Sequence, residues 1–284
     1  MDTKHEIVRP WGAGETPTLA TSIVLYRPDL ERLEWTLGTL ATAVRVANAA
    51  RLVARCVLLL TDHTPEPAPQ GLVDRWRHLC LPWLDLAYRH DPSNPGYGAG
   101  HNAARQCCAE ADYFLVANPD LQFAEDALIN GLTFLHQHPR LGVIAPAQDG
   151  PDGKRRPGCF RQPDPLTLLL RALGCTARHS PRIARYECLD WDVNVPVFNP
   201  PLMSGCCLLF RGEAYDRLGG FDPGYFLYFE DFDLSRRAAR LGLSAYCPTM
   251  CIRHLGGGAA RKGWHHRWWF IRSAWRYSFV KQFQ

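Results

Sequence analysis

Short apolar runs alternate with longer amphipathic ones through the first half of this chain, and that alternation limits the fold more than any other feature. Leu19 to Tyr26, Val53 to Leu60, Leu84 to Tyr88 and Tyr113 to Ala117 have the length and the branched and aromatic content of buried strands. Asp29 to Ala50, Gln70 to Leu81 and His101 to Glu110, lying between them, carry helical apolar spacing. Strand followed by helix, repeated, predicts an α/β fold: a parallel sheet with helices on both faces. Ligands of such sheets bind beyond the carboxyl ends of the strands. Asp62, a glycine loop at 94–102 and Asn118-Pro119-Asp120 all fall on that edge.

Beyond it, Glu125 to His138 reads as a helix, Val143 to Ala145 as a strand and Pro146 to Pro165 as a long loop. That loop carries Lys154, Arg155, Arg156 and Arg161, which suits either a substrate cover or a solvated basic surface. Met203 to Arg211 predicts another buried strand, and Leu234 to Leu241 a helix closed by Gly242. With 284 residues, one domain with a C-terminal extension, or two fused halves, is expected.

No apolar run is long enough to span a bilayer and the polar segment 1–18 has no signal-peptide pattern, so a cytoplasmic location is expected. The 11 cysteines form no C-x-x-C pair, which argues for reduced core thiols over disulfides or zinc. Charge is uneven. From Leu234 to the end there are 10 Lys and Arg and no Asp or Glu, against a net −6 in the rest. A basic end on an acidic body points to a localised anionic partner, either phosphates of a small ligand or anionic lipid, and away from nucleic acid.

Four segments carry chemistry. Gly219 to Leu234 sets Asp222, Glu230, Asp231 and Asp233 among aromatic rings, whose desolvation would raise a carboxylate pKa towards that of a general base. The alternative is that Asp231 or Asp233 caps a helix starting at Leu234. Asn94, Gly96, Gly98, Gly100 and Asn102 alternate ahead of a helix, allowing close backbone approach to a flat or anionic ligand; a plain turn is the competing reading. Asn118-Pro119-Asp120 leaves a strand with two oxygen-bearing side chains, which suits a hard divalent cation or an Asx turn. His254, with Arg253 beside it, precedes a glycine run and the cations Arg261 and Lys262, suited to a diphosphate.

Taken in order, these motifs resemble those of the inverting family-2 glycosyltransferases of the GT-A fold, most of all a bacterial rhamnosyltransferase-like branch. The most specific match is G-G-F-D-x-x-[FY]-F-x-Y-x-E-D-x-D-L-x-x-R, from Gly219 to Arg237. The resemblance implies an extension over 1–18, a GT-A domain over 19–260, divided near 145 into nucleotide-sugar and acceptor parts, and a basic amphipathic helix over 261–284. Donor contacts would come from Tyr26, Asp62, Asn94, Gly96, Asn102, Asn118, Asp120 and Arg253. Asp120 and His254 would bind Mg²⁺ or Mn²⁺, although Asn118 stands where the family's D-x-D motif begins with Asp. Asp231 would be the general base and Glu230 would orient it or the acceptor, near Ser204, Gly205 and Tyr228. Asp233 and Arg237 would form an ion pair.

The implied reaction is transfer of a sugar, foremost L-rhamnose from dTDP-L-rhamnose, to a glycan or lipid-linked acceptor in surface polysaccharide or lipopolysaccharide synthesis. A UDP-hexose or UDP-galactofuranose donor, or a nucleotide-binding module without turnover, are the alternatives. At the C-terminus, Trp264, Trp268, Ile271, Trp275 and Phe279 share one helical face flanked by Arg267, Arg272 and Arg276. That stripe predicts either packing on the catalytic domain or a peripheral contact with the inner face of the cytoplasmic membrane.

Overall fold

The computed structural model describes residues 16–150, 152–255 and 263–283. Most of the N-terminal extension, the glycine run 256–258, Arg261 and Lys262 therefore lie outside the described residues. Strands β1 (Thr18–Leu25), β2 (Arg55–Asp62), β3 (Asp85–His90) and β4 (Tyr113–Ala117) alternate with helices α1 (Leu30–Ala49), α2 (Gln70–Cys80) and α3 (Tyr97–Cys107). The chain continues through β5 (Leu121–Phe123), α4 (Ala127–Gln137), β6 (Val143–Asp149), β7 (Arg155–Arg156), β8 (Cys159–Phe160), α5 (Pro165–Ala172) and α6 (Pro181–Tyr186). It ends with β9 (Val197–Phe198), β10 (Leu202–Met203), β11 (Cys207–Arg211), α7 (Gly212–Arg217), α8 (Glu230–Arg240), β12 (Ser244–His254) and α9 (Gly263–Phe283).

The main sheet runs β3-β2-β1-β4-β11-β6-β12-β5, with β7 on β6 and β9 on β12. β1 sits at the parallel centre of the first half, paired with β2 and β4, and seven of its eight residues are buried, as expected for a strand covered on both faces. One apolar cluster joins the sheet to α1, α2 and α4, and a second joins its other face to residues of α3, α7 and α8. This is the predicted α/β arrangement. α1 starts where the sequence suggests, because Asp29 accepts a hydrogen bond from the Arg32 N–H at 3.2 Å.

Three expectations need correction. β6 extends to Asp149 and turns back through β7, while β8 pairs with β10, so 146–165 is no structureless loop. There Arg155 pairs with Asp149 at 3.0 Å and Arg156 with Asp152 at 2.8 Å. α3 begins at Tyr97, inside the glycine loop, and α8 begins at Glu230, four residues before Leu234. β11 runs antiparallel between β4 and β6, which turns its amino end, with Gly205 and Cys206, to the edge where β4 ends. The Asn118 N–H closes that junction by donating to Cys206 O at 2.8 Å.

Candidate active site

On that edge, Asp62 is buried and already engaged: it accepts from the Tyr88 hydroxyl at 2.8 Å and from the Thr64 N–H at 2.9 Å. Tyr26, at the end of β1, is 53% exposed beside it, and the Arg27 N–H ties this loop to Thr64 Oγ1 at 2.9 Å. Asn94 (φ 45°) and Gly96 (φ 108°) both turn left-handed before α3. Gly96 admits no side chain, since a Cβ there would lie 2.4 Å from Phe226 O, the carbonyl that accepts from the Tyr97 N–H at 3.0 Å. A Cβ at Gly98 would lie 2.6 Å from that of Phe221. These glycines let the loop seat against the 221–226 backbone, a role that a ligand-based reading of the loop does not anticipate.

Asn102, expected in the nucleotide-sugar pocket, is instead a brace. Its amide donates to Phe221 O at 2.8 Å, and its oxygen accepts from the Phe221 N–H at 2.9 Å and the Tyr215 hydroxyl at 2.7 Å. The carboxamide is thus engaged in holding the Gly219–Phe221 turn.

The acidic segment is held in an unusual backbone conformation. Tyr228 (φ 69°) and Phe229 (φ 67°) are both left-handed, and such non-glycine residues cost of order 1–3 kcal/mol each unless their surroundings fix them. Here Phe229 is buried with Leu202, Tyr225 and Tyr277. The turn delivers Glu230 and Asp231 as the first residues of α8. Asp231 Oδ2 accepts from the Gly205 N–H at 2.9 Å and Oδ1 from the Phe232 N–H at 2.9 Å. A Cβ on Gly205 would come within 2.7 Å of that of Asp231, so position 205 is fitted to the carboxylate. Asp231 therefore sits in the first turn and does not cap a helix at Leu234. Asp233 supports α8 through Arg237 at 2.8 Å, as expected, and Arg236 at 3.2 Å.

Burial pushes the Asp231 carboxyl up to about 6, against the Gly205 and Phe232 N–H groups, which hold it down. Glu230 is 5% exposed, and burial first and the Asp231 charge second push it well above the usual carboxylate range. Its Oε2 has no hydrogen-bond partner among the described residues. The pair thus divides: Asp231, held by two N–H groups, is the acceptor of the two, while burial favours the neutral form of Glu230.

Asp120 and His254 come together where β5 and β12 pair, with Oδ1 and Nε2 3.4 Å apart. Leu255 N–H donates to Asp120 O at 3.0 Å and fixes the crossing. The Asn118 oxygen accepts from the Tyr97 hydroxyl at 2.9 Å, and that hydroxyl also lies 2.8 Å from Gly205 O. Among the described residues no three His, Cys, Asp or Glu side chains cluster as a metal cage. One carboxylate and one imidazole nevertheless match a cation that takes its remaining ligands from phosphate and water. Arg253 is exposed, and strand alternation turns it to the face opposite His254, so the two are not brought together as expected.

Of the expected acceptor residues, Gly205 touches Asp231, while Ser204 lies one step away, its N–H donating to Gly158 O at 2.8 Å. Tyr228 is bound to α9, its hydroxyl 2.9 Å from His266 Nδ1. α9 packs on the turn that precedes α8 through Phe270, Ala274 and Tyr277, with Trp269 stacked on Phe226 at 4.3 Å and Ser273 Oγ donating to Leu227 O at 2.8 Å. The aromatic stripe is a different face: Trp268, Ile271 and Trp275 are 52–65% exposed. The side chains of Trp264, Arg267 and Phe279 lie outside those described. Tyr97 and Arg171, which helps hold the Asp231 carboxyl down, are site residues that the sequence did not single out.

No family model matches the chain. It is 30% identical over 253 residues to the N-acetylglucosaminyl-diphospho-decaprenol L-rhamnosyltransferase of Mycobacterium tuberculosis, covering 84% of this chain and 76% of that protein. It is 24% identical over 215 residues to the rhamnosyltransferase WbbL of Escherichia coli, covering 71% and 76%. Among solved structures it matches the mannosyltransferase PcManGT of Pyrobaculum calidifontis, solved with GDP-Man and Mn²⁺, at TM-score 0.56 and 16% identity over 93% of this chain and 65% of that one. It matches residues 1–349 of S. aureus TarS at TM-score 0.54 and 15% identity, over 84% and 60%. The chain spans under two thirds of either solved neighbour, and at these identities the likeness is one of fold, the GT-A fold of the glycosyltransferases. With that fold, and with the identity and coverage of the mycobacterial relative, the chain belongs to the rhamnosyltransferase-like branch of the family-2 glycosyltransferases.

Proposed function

We propose that the protein transfers a glycosyl group, L-rhamnosyl from dTDP-L-rhamnose in the first instance, onto a hydroxyl of a lipid-diphosphate-linked glycan acceptor, with inversion. The observation that carries this reading is Asp231, gripped by the Gly205 N–H at 2.9 Å, with a carboxyl pushed up to about 6 beside a buried Glu230. A base of that strength is mostly ionised at neutral pH yet still basic enough to take a proton from a hydroxyl as it reacts. The acceptor oxygen then attacks the anomeric carbon from the face opposite the diphosphate. The new carbon–oxygen bond forms as the old one breaks, the proton rests on Asp231, and the nucleoside diphosphate leaves.

Tyr26 and Asp62, at the carboxyl ends of β1 and β2, with Asn94 and Gly96 in the loop that follows β3, would receive the base and ribose of the donor. Asp120 and His254 would hold Mg²⁺ or Mn²⁺, whose charge would neutralise the departing diphosphate. Glu230, whose neutral form burial favours, would donate a hydrogen bond to the acceptor or help keep the base oriented. Residues 19–145 thus serve the donor and 146–260 the acceptor. The exposed tryptophans of α9, on a helix without acidic residues, would rest against anionic lipid on the cytoplasmic face of the membrane. Among the described residues no helix is long and apolar enough to cross it.

A thermal-shift panel tests the reading, because a ligand of the native state raises its apparent stability. Stabilisation by dTDP-rhamnose, deepened by Mn²⁺, is the expected result. Stabilisation by a UDP-hexose or UDP-galactofuranose alone would move the donor assignment, and none by any nucleotide sugar would overturn it.

A further inference from the structure

We infer that a cavity beside α5 and α6, lined by Arg161, Arg182 and Arg185, is a subsite for the diphosphate of a polyprenyl-linked acceptor, whose lipid runs over the exposed leucines of α5. The inference rests on the glycosyl transfer proposed above and assigns it an acceptor site. The cavity holds about 410 Å³ and is also lined by Asp164, Thr167 and Tyr186. Three guanidinium groups thus face one lining carboxylate. Arg182 pairs with Asp164 at 2.5 Å, and Arg161 pairs with Asp190 outside the lining at 2.6 Å. Arg185 makes no side-chain hydrogen bond among the described residues; the Arg161 hydrogen bond first, and the Arg161 and Arg185 charges after it, hold the Asp190 carboxyl below the usual carboxylate range. A cavity lined by more cations than carboxylates, with one guanidinium free of hydrogen bonds, suits a compact polyanion.

Its place relative to the base gives it meaning. Tyr186, in the lining, stacks on Phe160 at 5.2 Å, and Phe160 packs on Phe232 at 5.4 Å, the residue after Asp231. Arg171, which stabilises the ionised base, lies over the Tyr186 ring at 5.4 Å. A row of aromatic rings, Tyr186, Phe160 and Phe232, therefore links the arginine cavity to the segment that carries Asp231. In a sugar diphosphate the acceptor hydroxyl and the diphosphate are likewise linked through a sugar ring.

On the other side, Asp164 and Thr167 at the start of α5 line the cavity, so the rest of the helix leads away from it. Leu168 turns inward to the aromatic cluster shared with α9, while Leu166, Leu169 and Leu173 are 48–70% exposed at helical spacing. α9 covers the same cluster and leaves Trp268, Ile271 and Trp275 exposed, a second apolar surface on a helix packed against the same cluster. Base, cations and leucines follow in the order of hydroxyl, diphosphate and polyprenyl chain.

The test is calorimetry on the full chain with farnesyl diphosphate and, separately, inorganic diphosphate as probes, in the absence and presence of the nucleotide sugar that stabilises the protein. The expected result is binding of farnesyl diphosphate that the nucleotide sugar does not displace, weakened at least ten-fold in Arg182→Ala/Arg185→Ala. Leu166→Ser/Leu169→Ser should weaken farnesyl diphosphate several-fold and leave inorganic diphosphate unchanged. Displacement by the nucleotide sugar, equal affinity in the arginine variant or no binding would each overturn the subsite. The nucleotide-sugar thermal shift separates the two ideas. If it persists in wild type and variants while these results fail, only the subsite falls; if wild type lacks it, the transferase reading falls, and arginine-dependent farnesyl diphosphate binding would still establish the cavity.

Discussion

Replacing Gly205 by alanine asks whether the grip on Asp231 sets its basicity. The backbone at 205 is not in the left-handed region, so alanine is conformationally allowed, and the damage comes from contact alone. Its Cβ would lie 2.7 Å from Asp231 Cβ and 3.3 Å from Oδ2, atoms of a side chain pinned by two N–H groups. Relieving the overlap moves the carboxylate off the Gly205 N–H, and overpacking of this kind costs about 1–3 kcal/mol of stability. A hydrogen bond to a charged group is worth about 1.5–3 kcal/mol. At 1.36 kcal/mol per pKa unit, its loss would raise the Asp231 carboxyl by roughly one to two units. The base would then titrate near or above pH 7, where in the wild type it is about nine-tenths ionised, given a value of about 6.

The assay is kcat against pH from 5 to 9, with donor binding followed separately by thermal shift. In the wild type kcat should climb through about pH 6 and level off. In Gly205→Ala the rise should move up by at least one pH unit, with much of the lost rate recovered at pH 9 and donor stabilisation retained. An unmoved profile would refute the reasoning, as would a rate loss that pH cannot restore with the donor still bound.

Asp231→Asn should abolish turnover, leave the nucleotide-sugar shift nearly intact and raise Tm at pH 7 to 8. The sign follows from the raised carboxyl: the folded state holds its proton more tightly than the unfolded state, so this group's contribution is present below about pH 4 and is lost as pH rises to about 6. Glu230→Gln should also raise Tm above neutral pH, since burial disfavours the charged form, and a lower Tm would contradict that. Asp120→Ala and His254→Ala should each remove the Mn²⁺-dependent part of the donor shift while leaving Tm of the free protein within a degree or two; a persisting metal response would move the cation elsewhere. Ending the chain at 262 should uncover Tyr225 and Phe229 and lower Tm by several degrees or cause aggregation, as judged by light scattering, because α9 packs on the turn that precedes α8.

The parallel half of the fold was legible because its strands are buried on both faces and read as unbroken apolar runs, as in β1 and β4. The order of acidic, glycine and histidine motifs singled out Asp231, Asp120 and His254, and the structure brings the last two within 3.4 Å of each other. Harder to read was any position whose conformation contradicts its side chain. Tyr228 and Phe229 adopt left-handed angles that their residue types disfavour, so α8 appears from sequence to start four residues late. The alternating glycines suggested a ligand loop, yet two of them make room for Phe221 and Phe226, a tertiary contact without local signal. On α9 aromatic residues occupy several faces, and only the partner surface decides that Phe270 and Tyr277 pack while Trp268 and Trp275 do not.

The reversed strand β11 ties the first and second halves of the chain into one cooperative unit. β6 reaches β4 only through β11, a segment that follows β6 in sequence by some 60 residues. A fragment ending near residue 150 would leave the wholly buried strand Tyr113–Ala117 as an open apolar edge, which invites aggregation. The two halves are thus not separable by cleavage there without baring that edge. A change that displaces β4 would pass through β11 to Gly205, and so to the Asp231 carboxylate that its N–H holds.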